Sequence, residues 1–374
     1  MPLKKRIALI KQIEKQRDST VICYLTSLRP NLVAQMSDDA VRVFFDHLLL
    51  LPRRPVKKLD IFLCSNGGSG TVPWRLISLF REYADRVCVL IPFRAYSAAT
   101  LLALGADEIV MHTFAEMGPI DPTVTNEFNP IDPQTHRYLG ISVEDVKAYI
   151  SFMKSTVGIH HEDELVKTVE ILANKVHPLA LGNVERFISQ SRMIARKLLM
   201  THMDDDETSK HKVDEIIETM ASKLYFHGHP INRREALEEL KLKVLPPDKI
   251  PKSLEKAMWQ LYTDFEEELQ NQKPFDPMAD IFRAVPTAPA PQVPAPEAPA
   301  PQAAPQQPVA LPAQFIPPGI SANMDLTLAI IESARLSSRF HQQKRLVVVG
   351  VGQMGEPLLR DETLDQGWSS TPAP

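Results

Sequence analysis

Short apolar runs of strand character alternate with helix-forming stretches through the first third of the chain, and this alternation limits the folds open to it. Thr20–Leu25, 59–64, 86–93 and 107–111 read as strands. Helical patterns fill the gaps at 38–51, 72–83 and 97–105, the first with Val41, Phe44, Phe45 and Leu48 on one face. Strand, helix and strand at this spacing predict right-handed βαβ crossovers and a mainly parallel sheet in an α/β domain.

Two of the strands run into informative turns. The run Val87–Ile91 with Phe93 leads through Ala95 and Tyr96 to Ser97, and strong helix formers follow from Ala98. A serine at such a corner can aim its hydroxyl away from the packed strand, with the Ala98 amide free to donate to an anion. The preceding strand ends in Ser65-Asn-Gly67-Gly68-Ser-Gly70, and paired glycines let backbone amides approach a ligand. An amide from Gly67 or Gly68 beside that of Ala98 would form an oxyanion hole, as nucleophilic acyl transfer requires. The competing readings are an ordinary N-cap for Ser97 and a plain turn for the glycines. A P-loop is excluded because no Gly-Lys-Ser/Thr follows. Both turns lie at the carboxyl ends of consecutive strands, where open α/β sheets bind ligands.

Ser65-Asn-Gly-Gly68, the block Arg94-Ala-Tyr-Ser97-Ala-Ala-Thr through Ala106-Asp-Glu-Ile-Val-Met111, and Gly118-Pro-Ile-Asp-Pro122 resemble the ClpP/crotonase superfamily. Within it they are most similar to signal-peptide-peptidase-A-like serine peptidases, specifically the serine dehydrogenase proteinase family. Lys223-Leu-Tyr-Phe-His-Gly-His-Pro-Ile-Asn-Arg-Arg-Glu-Ala-Leu237 resembles that family's C-terminal signature, so the likeness covers about residues 15 to 245. It implies a Ser97 nucleophile, oxyanion amides from Gly67, Gly68 and Ala98, and peptide or unfolded protein substrates. It also implies a homo-oligomer built through the helical extension. Where Clp-type peptidases carry a histidine base, this chain has Ile120, Asp121 and Pro122, and His112 reads as a loop or edge residue. The signal-peptide-peptidase branch uses a lysine, which works as a base only if burial lowers its pKa. Lys147, Lys154 and Lys175 are the candidates, with Lys175 favoured by its place before a long helical pattern. An alternative alignment sets Arg186 opposite the family lysine, and arginine cannot serve as a base.

The remaining sequence sets the organisation. Residues 1–17 read as an amphipathic N-terminal helix, 18–250 as the ClpP/crotonase-like domain with a helical extension at about 143–224, and 251–285 as a helical connection. Between Pro286 and Pro318 there are 12 prolines among Ala, Gln and Val, a composition that cannot build a core and predicts a disordered Pro/Ala-rich linker. In the tail, 319–374, Leu326, Ile330, Ile331 and Leu336 suggest a short amphipathic helix over 325–340 that docks on a partner. Gly350-Val-Gly352-Gln-Met-Gly355 matches a dinucleotide fingerprint, but Glu356-Pro357 discourages the required helix. It reads as an isolated β-segment, and no cofactor is expected.

A net charge of −4 gives no reason to expect nucleic-acid capture, and no run has the apolar length of a membrane span. Cys23, Cys64 and Cys88 all fall in predicted buried strands, which suggests reduced thiols and a cytoplasmic setting. His160-His161 and His227-Gly-His229 lack metal-ligand spacing, so no metal is expected. The readings that compete are a serine peptidase with a lysine base, a catalytically inactive scaffold, and a crotonase-type acyl-thioester enzyme.

Overall fold

The computed structural model describes residues 2–120, 123–124, 127–132, 138–223, 228–284, 318–352 and 357–373. Four strands lie parallel in its centre: β1 (Thr20–Thr26), β2 (Leu59–Cys64), β3 (Val87–Ile91) and, past the two-residue β4 (Arg94–Ala95), β5 (Glu108–Met111). Their register sets Ile22 beside Ile61, Phe62 beside Leu90 and Leu90 beside Val110. Every residue of β1, β2 and β3 is buried, because helices cover both faces of the sheet.

The pleat sorts these strands into two cores. Ile22, Tyr24, Ile61, Leu63, Val89 and Ile91 face the helices α2 (Asp39–Leu49), α3 (Val72–Tyr83) and α4 (Ala98–Leu104). Phe44 of α2 packs edge-on between Tyr24 of β1 and Phe80 of α3. On the other face, Val21, Cys23, Phe62, Cys64 and Leu90 meet the N-terminal helix α1 (Pro2–Arg17) and a later helix at Lys252–Glu268. The three cysteines are free and buried, and burial pushes the Cys64 and Cys88 thiols up to about 12.

After β5 the chain forms β6 (Glu116–Met117), which pairs with β4, and a two-stranded sheet of β7 (Thr123–Val124) and β8 (Ile141–Ser142). The helical extension follows as α5 (Val143–Ser151), α6 (Glu162–Ala173), α7 (Pro178–Met200) and α8 (Glu207–Glu218). Helix α7 starts with Pro178 in its first turn and His177 Nδ1 accepting the Leu179 N–H at 3.1 Å. Strand β9 (Ile231–Asn232) joins β6, and α9 (Lys252–Glu268) and α10 (Pro277–Ala284) complete the helices.

The C-terminal segment overturns an expectation. Residues 325–340 are not a docking helix but parts of β10 (Ser321–Ser333) and β11 (Leu336–Val351), and β12 (Pro357–Pro372) completes an antiparallel meander. Nor is 346–351 an isolated β-segment, since it pairs with both β10 and β12. Strand β10 adds antiparallel to β1, giving one seven-stranded sheet in the order β12-β11-β10-β1-β2-β3-β5. The expected linker, 286–318, lies almost wholly outside the described residues.

Arg6 locks this addition in place. Its fully buried guanidinium reaches Asp264 at 2.9 Å, Glu268 at 2.6 Å and Glu332 of β10 at 2.8 Å. Burial alone would disfavour its charge, but Glu332, Glu268 and Asp264 hold its pKa above the ordinary arginine value. Arg6→Met would remove the buried cation that meets all three carboxylates, leaving Asp264 to the exposed Lys5 and Glu268 and Glu332 to Arg339. Urea unfolding of this variant should show a loss of about 3–5 kcal/mol, whereas a change under 1 kcal/mol would mean the network does not hold the meander.

Candidate active site

The site forms where the ends of β2 and β4 meet. Ser65 N–H donates to the Arg94 carbonyl at 2.9 Å and Tyr96 N–H to the Ser65 carbonyl at 3.0 Å, so the two turns share a short backbone pairing. Gly67 has φ +94°, and a Cβ there would stand 2.6 Å from the Tyr96 carbonyl oxygen and 2.9 Å from the Ala98 nitrogen. Gly68 is equally closed, by the backbone of Met36 at 2.3 and 2.5 Å. Glycine is therefore required at both positions by space as well as by φ.

Ser97 ends this path in a strained conformation, φ 52° and ψ −115°. For a residue with a side chain this costs about 1–3 kcal/mol, and it persists only where surrounding contacts over-determine it. Those contacts are present. The Thr100 hydroxyl lies 2.7 Å from the Ala95 carbonyl and 2.9 Å from that of Gly118, its one proton shared between them. The Tyr96 hydroxyl donates to Glu116 at 2.9 Å, and Arg94 Nε donates to the same carboxylate at 2.8 Å. Burial, then Glu116, pushes Tyr96 up to about 12, so it stays neutral and cannot be the base.

The N-cap reading of Ser97 fails, because its side chain makes no capping hydrogen bond to α4. Its half-buried hydroxyl has no hydrogen-bond partner among the described residues and opens into a cleft of about 350 Å³. Leu101, Ile120, Phe187 and Ile194 form the apolar wall; Gln35, Asn66, Ser69, Thr71, Gln190 and Ser191 supply polar groups. Phe187, Gln190, Ser191 and Ile194 come from α7, and Ser191 Oγ donates to the Ile120 carbonyl at 2.7 Å.

Of the expected oxyanion donors, Gly67 is corrected. Its N–H donates to Ser65 Oγ at 3.0 Å, and that hydroxyl accepts from Thr26 Oγ1 at 2.8 Å, both buried. The amides of Gly68 and Ala98 have no acceptor among the described residues and flank the same corner.

Lys175 is a second correction. It is exposed at the junction of α6 and α7 and does not line the cleft. Pro178 and Ser191 are about 20 Å apart along α7 at 1.5 Å per residue, and Lys175 precedes Pro178. Lys154 is exposed and Lys147 half-buried on α5; neither lines the cleft, and Arg186 is engaged with Asn183 at 2.6 Å. No titratable side chain is among the described residues lining this cleft. His112 caps its own turn, accepting the Phe114 N–H at 3.1 Å, and stacks on Trp259; burial lowers its pKa. Asp121, Pro122 and His227 lie outside the described residues. His229 faces Glu235 at 2.7 Å.

Sequence reasoning missed the contribution of α7 and the service of Ser65 as acceptor for Gly67. A hydroxyl two residues before a glycine was the available signal for Ser65. Nothing in the periodicity of α7 marks which face meets Ser97. No helix among the described residues is long and apolar enough to cross a membrane.

Residues 1–142 match the family of ClpP-like SDH-type serine proteinases, in agreement with the resemblance carried by the serine and glycine blocks. Two uncharacterised proteins of Methanocaldococcus jannaschii, MJ1495 and MJ0137, are similar over longer spans. The first is 24% identical over 246 residues, 64% of this chain and 71% of that protein. The second is 21% identical over 243 residues, 62% of this chain and 71% of that protein. A solved structure of a mutant 1510-N membrane-bound stomatin-specific protease overlaps 37% of this chain and 61% of its own, at 16% identity and a TM-score of 0.26.

The closed backbone at Gly67 makes a direct prediction. Gly67→Ala should lower stability by about 2 kcal/mol or more, whereas Gly70→Ala, where a Cβ meets open space, should cost under about 0.5 kcal/mol. Denaturant unfolding of the pair checks this, and equal losses would contradict the packing described.

Proposed function

From the match of residues 1–142 to the ClpP-like SDH-type serine proteinases, we propose that this protein is a serine peptidase in which Ser97 is the nucleophile. The observation that carries this reading is the strained Ser97, its hydroxyl unbonded over a cleft and two unpaired amides at the same corner. Ser97 Oγ attacks a peptide carbonyl as a base removes its proton. The Gly68 and Ala98 N–H groups hold the developing oxyanion. The proton then passes to the leaving amine as the C–N bond breaks, and water, deprotonated by the same base, releases the acyl group and restores Ser97.

The base in this reading is a lysine of the helical extension, as in the signal-peptide-peptidase-A-like branch. None of the candidate lysines lines the cleft among the described residues; Lys147 is the first to test because it is half-buried on the helix α5 that packs against the cleft-lining α7. The substrates are peptides or unfolded proteins, and the active form is a homo-oligomer. Exposed Val166, Val169, Ile171 and Leu179 on α6 and α7 support assembly. The second reading, a catalytically inactive scaffold, is favoured by one observation, the cleft lining without a titratable side chain among the described residues.

A fluorophosphonate label separates the two. Full-length protein should be labelled at one serine and Ser97→Ala should not. Lys147→Ala should slow the labelling at least about 100-fold. A folded protein that takes no label overturns the peptidase reading in favour of the scaffold.

A further inference from the structure

A second cleft, about 360 Å³, lies across the glycine turn from the first and shares Gln35, Asn66 and Gly68 with it. Its wall is the segment Ser27–Gln35, which belongs to no named strand. Residues 32–36 nevertheless alternate as a strand does, following a turn in which Asn31 has φ +65° and Leu32 N–H donates to the Arg29 carbonyl at 3.1 Å. Val33 and Gln35 are exposed, Leu32 and Ala34 half-buried, and Met36 buried. Leu32 and Ala34 pack towards the cluster of Ile281, Met324 and Leu326, which fixes the inward face.

The segment is anchored at both ends and unpaired in between. The Pro30 carbonyl accepts the Phe275 N–H at 2.8 Å. Met36 N–H donates to the Gly67 carbonyl at 2.7 Å, and the Met36 carbonyl accepts the Ser69 N–H at 2.8 Å. Among the described residues, no hydrogen bond engages the backbone N–H or C=O of Val33, Ala34 or Gln35. A held, extended stretch with open backbone groups is a template for adding a strand. It spans about 10 Å at 3.3 Å per residue, enough for three residues of an extended peptide.

Resting on the peptidase reading, we propose that residues 32–36 bind the leaving half of the substrate as an added β-strand. The acyl half stays attached to Ser97 and occupies the cleft that contains Ser97. The second cleft touches the glycine turn but not Ser97, which leaves room there for the chain on the amine side of the scissile bond. Recognition there is through backbone hydrogen bonds. The outward Val33 and Gln35 carry no charge, and the one charged residue lining the cleft among the described residues, Arg29, is held by the Lys273 carbonyl at 2.9 Å and the Phe275 ring.

The test uses full-length protein and substrates with one common acyl half. One is an acyl p-nitroanilide, which has no residue beyond the scissile bond; two peptides extend one and four residues beyond it. The four-residue extension should raise kcat/KM at least about tenfold over the one-residue extension. N-methylation of the second residue beyond the scissile bond should remove most of that gain. Val33→Pro, which deletes a backbone donor, should lower the four-residue to one-residue ratio towards unity. Equal rates for the two peptides, or a gain that survives N-methylation, overturns the groove while anilide hydrolysis and Ser97 labelling still support the peptidase. Absence of both labelling and anilide hydrolysis overturns the peptidase reading and the groove with it.

Discussion

Gly67 lies against the carbonyl of Tyr96 and the amide of Ala98 more closely than any side chain would permit. This contact of backbone on backbone draws the ends of β2 and β4 together and fixes where the Ser97 hydroxyl and the Gly68 and Ala98 amides stand. Its geometry strains Ser97, and the surrounding hydrogen bonds offset that strain. Thr100, the Tyr96–Glu116–Arg94 cluster and the pairing of Ser65 with the β4 turn each hold a different part of the corner. Ser65 has a further effect, because its hydroxyl takes up the Gly67 amide and leaves those of Gly68 and Ala98 as the open pair. A neutral corner of this kind stabilises negative charge when it appears without a bound cation.

The sheet beneath the corner is rigid because it is covered on both faces and extended beyond β1 by the C-terminal meander. Arg6 ties α1, α9 and β10 through carboxylates that are themselves wholly or partly buried. His47 adds a second tie, with its two ring nitrogens each 3.1 Å from the hydroxyls of Ser333 and Ser338. Burial lowers its pKa to about 4. Because the unfolded value is near 6.5, the stability this residue contributes is complete above that pH and is lost as pH falls through the folded value. The residues after the proline-rich segment thus complete the folded domain.

The strands β1, β2, β3 and β5 were legible in the sequence because each is a short apolar run, and α2 and α3 because each has one apolar stripe. The two-residue β4 falls where the sequence reads as a turn. The 325–340 segment was not legible. Leu326, Ile330 and Ile331 fit a helical stripe, yet the preceding Ala322, Met324, Leu326 and Leu328 alternate as a strand does. Strand β10 then passes into the sheet interior beside β1 with an irregularity between Thr327 and Ala329, and from Leu328 onward every residue is buried. That change from one-sided to two-sided burial erases the period-2 signal. At the site, the strand-to-helix corner at Ser97 and the Gly67–Gly68 turn could be read from local residues. The cleft wall could not, since Phe187, Gln190, Ser191 and Ile194 reach Ser97 only through the packing of α7. Closeness in sequence to the start of α7 likewise does not tell which end of that helix meets the cleft, and Lys175 stands at the end away from Ser191.

In the proposed reaction the Gly68 and Ala98 amides converge on the oxygen that carries charge when Ser97 reacts. A crystal structure of the protein phosphonylated at Ser97 would display that convergence. A phosphonyl oxygen should lie about 2.7–3.1 Å from both nitrogens, with the Gly67 amide still bonded to Ser65. A phosphonyl oxygen directed into solvent, or held by neither amide, would contradict it.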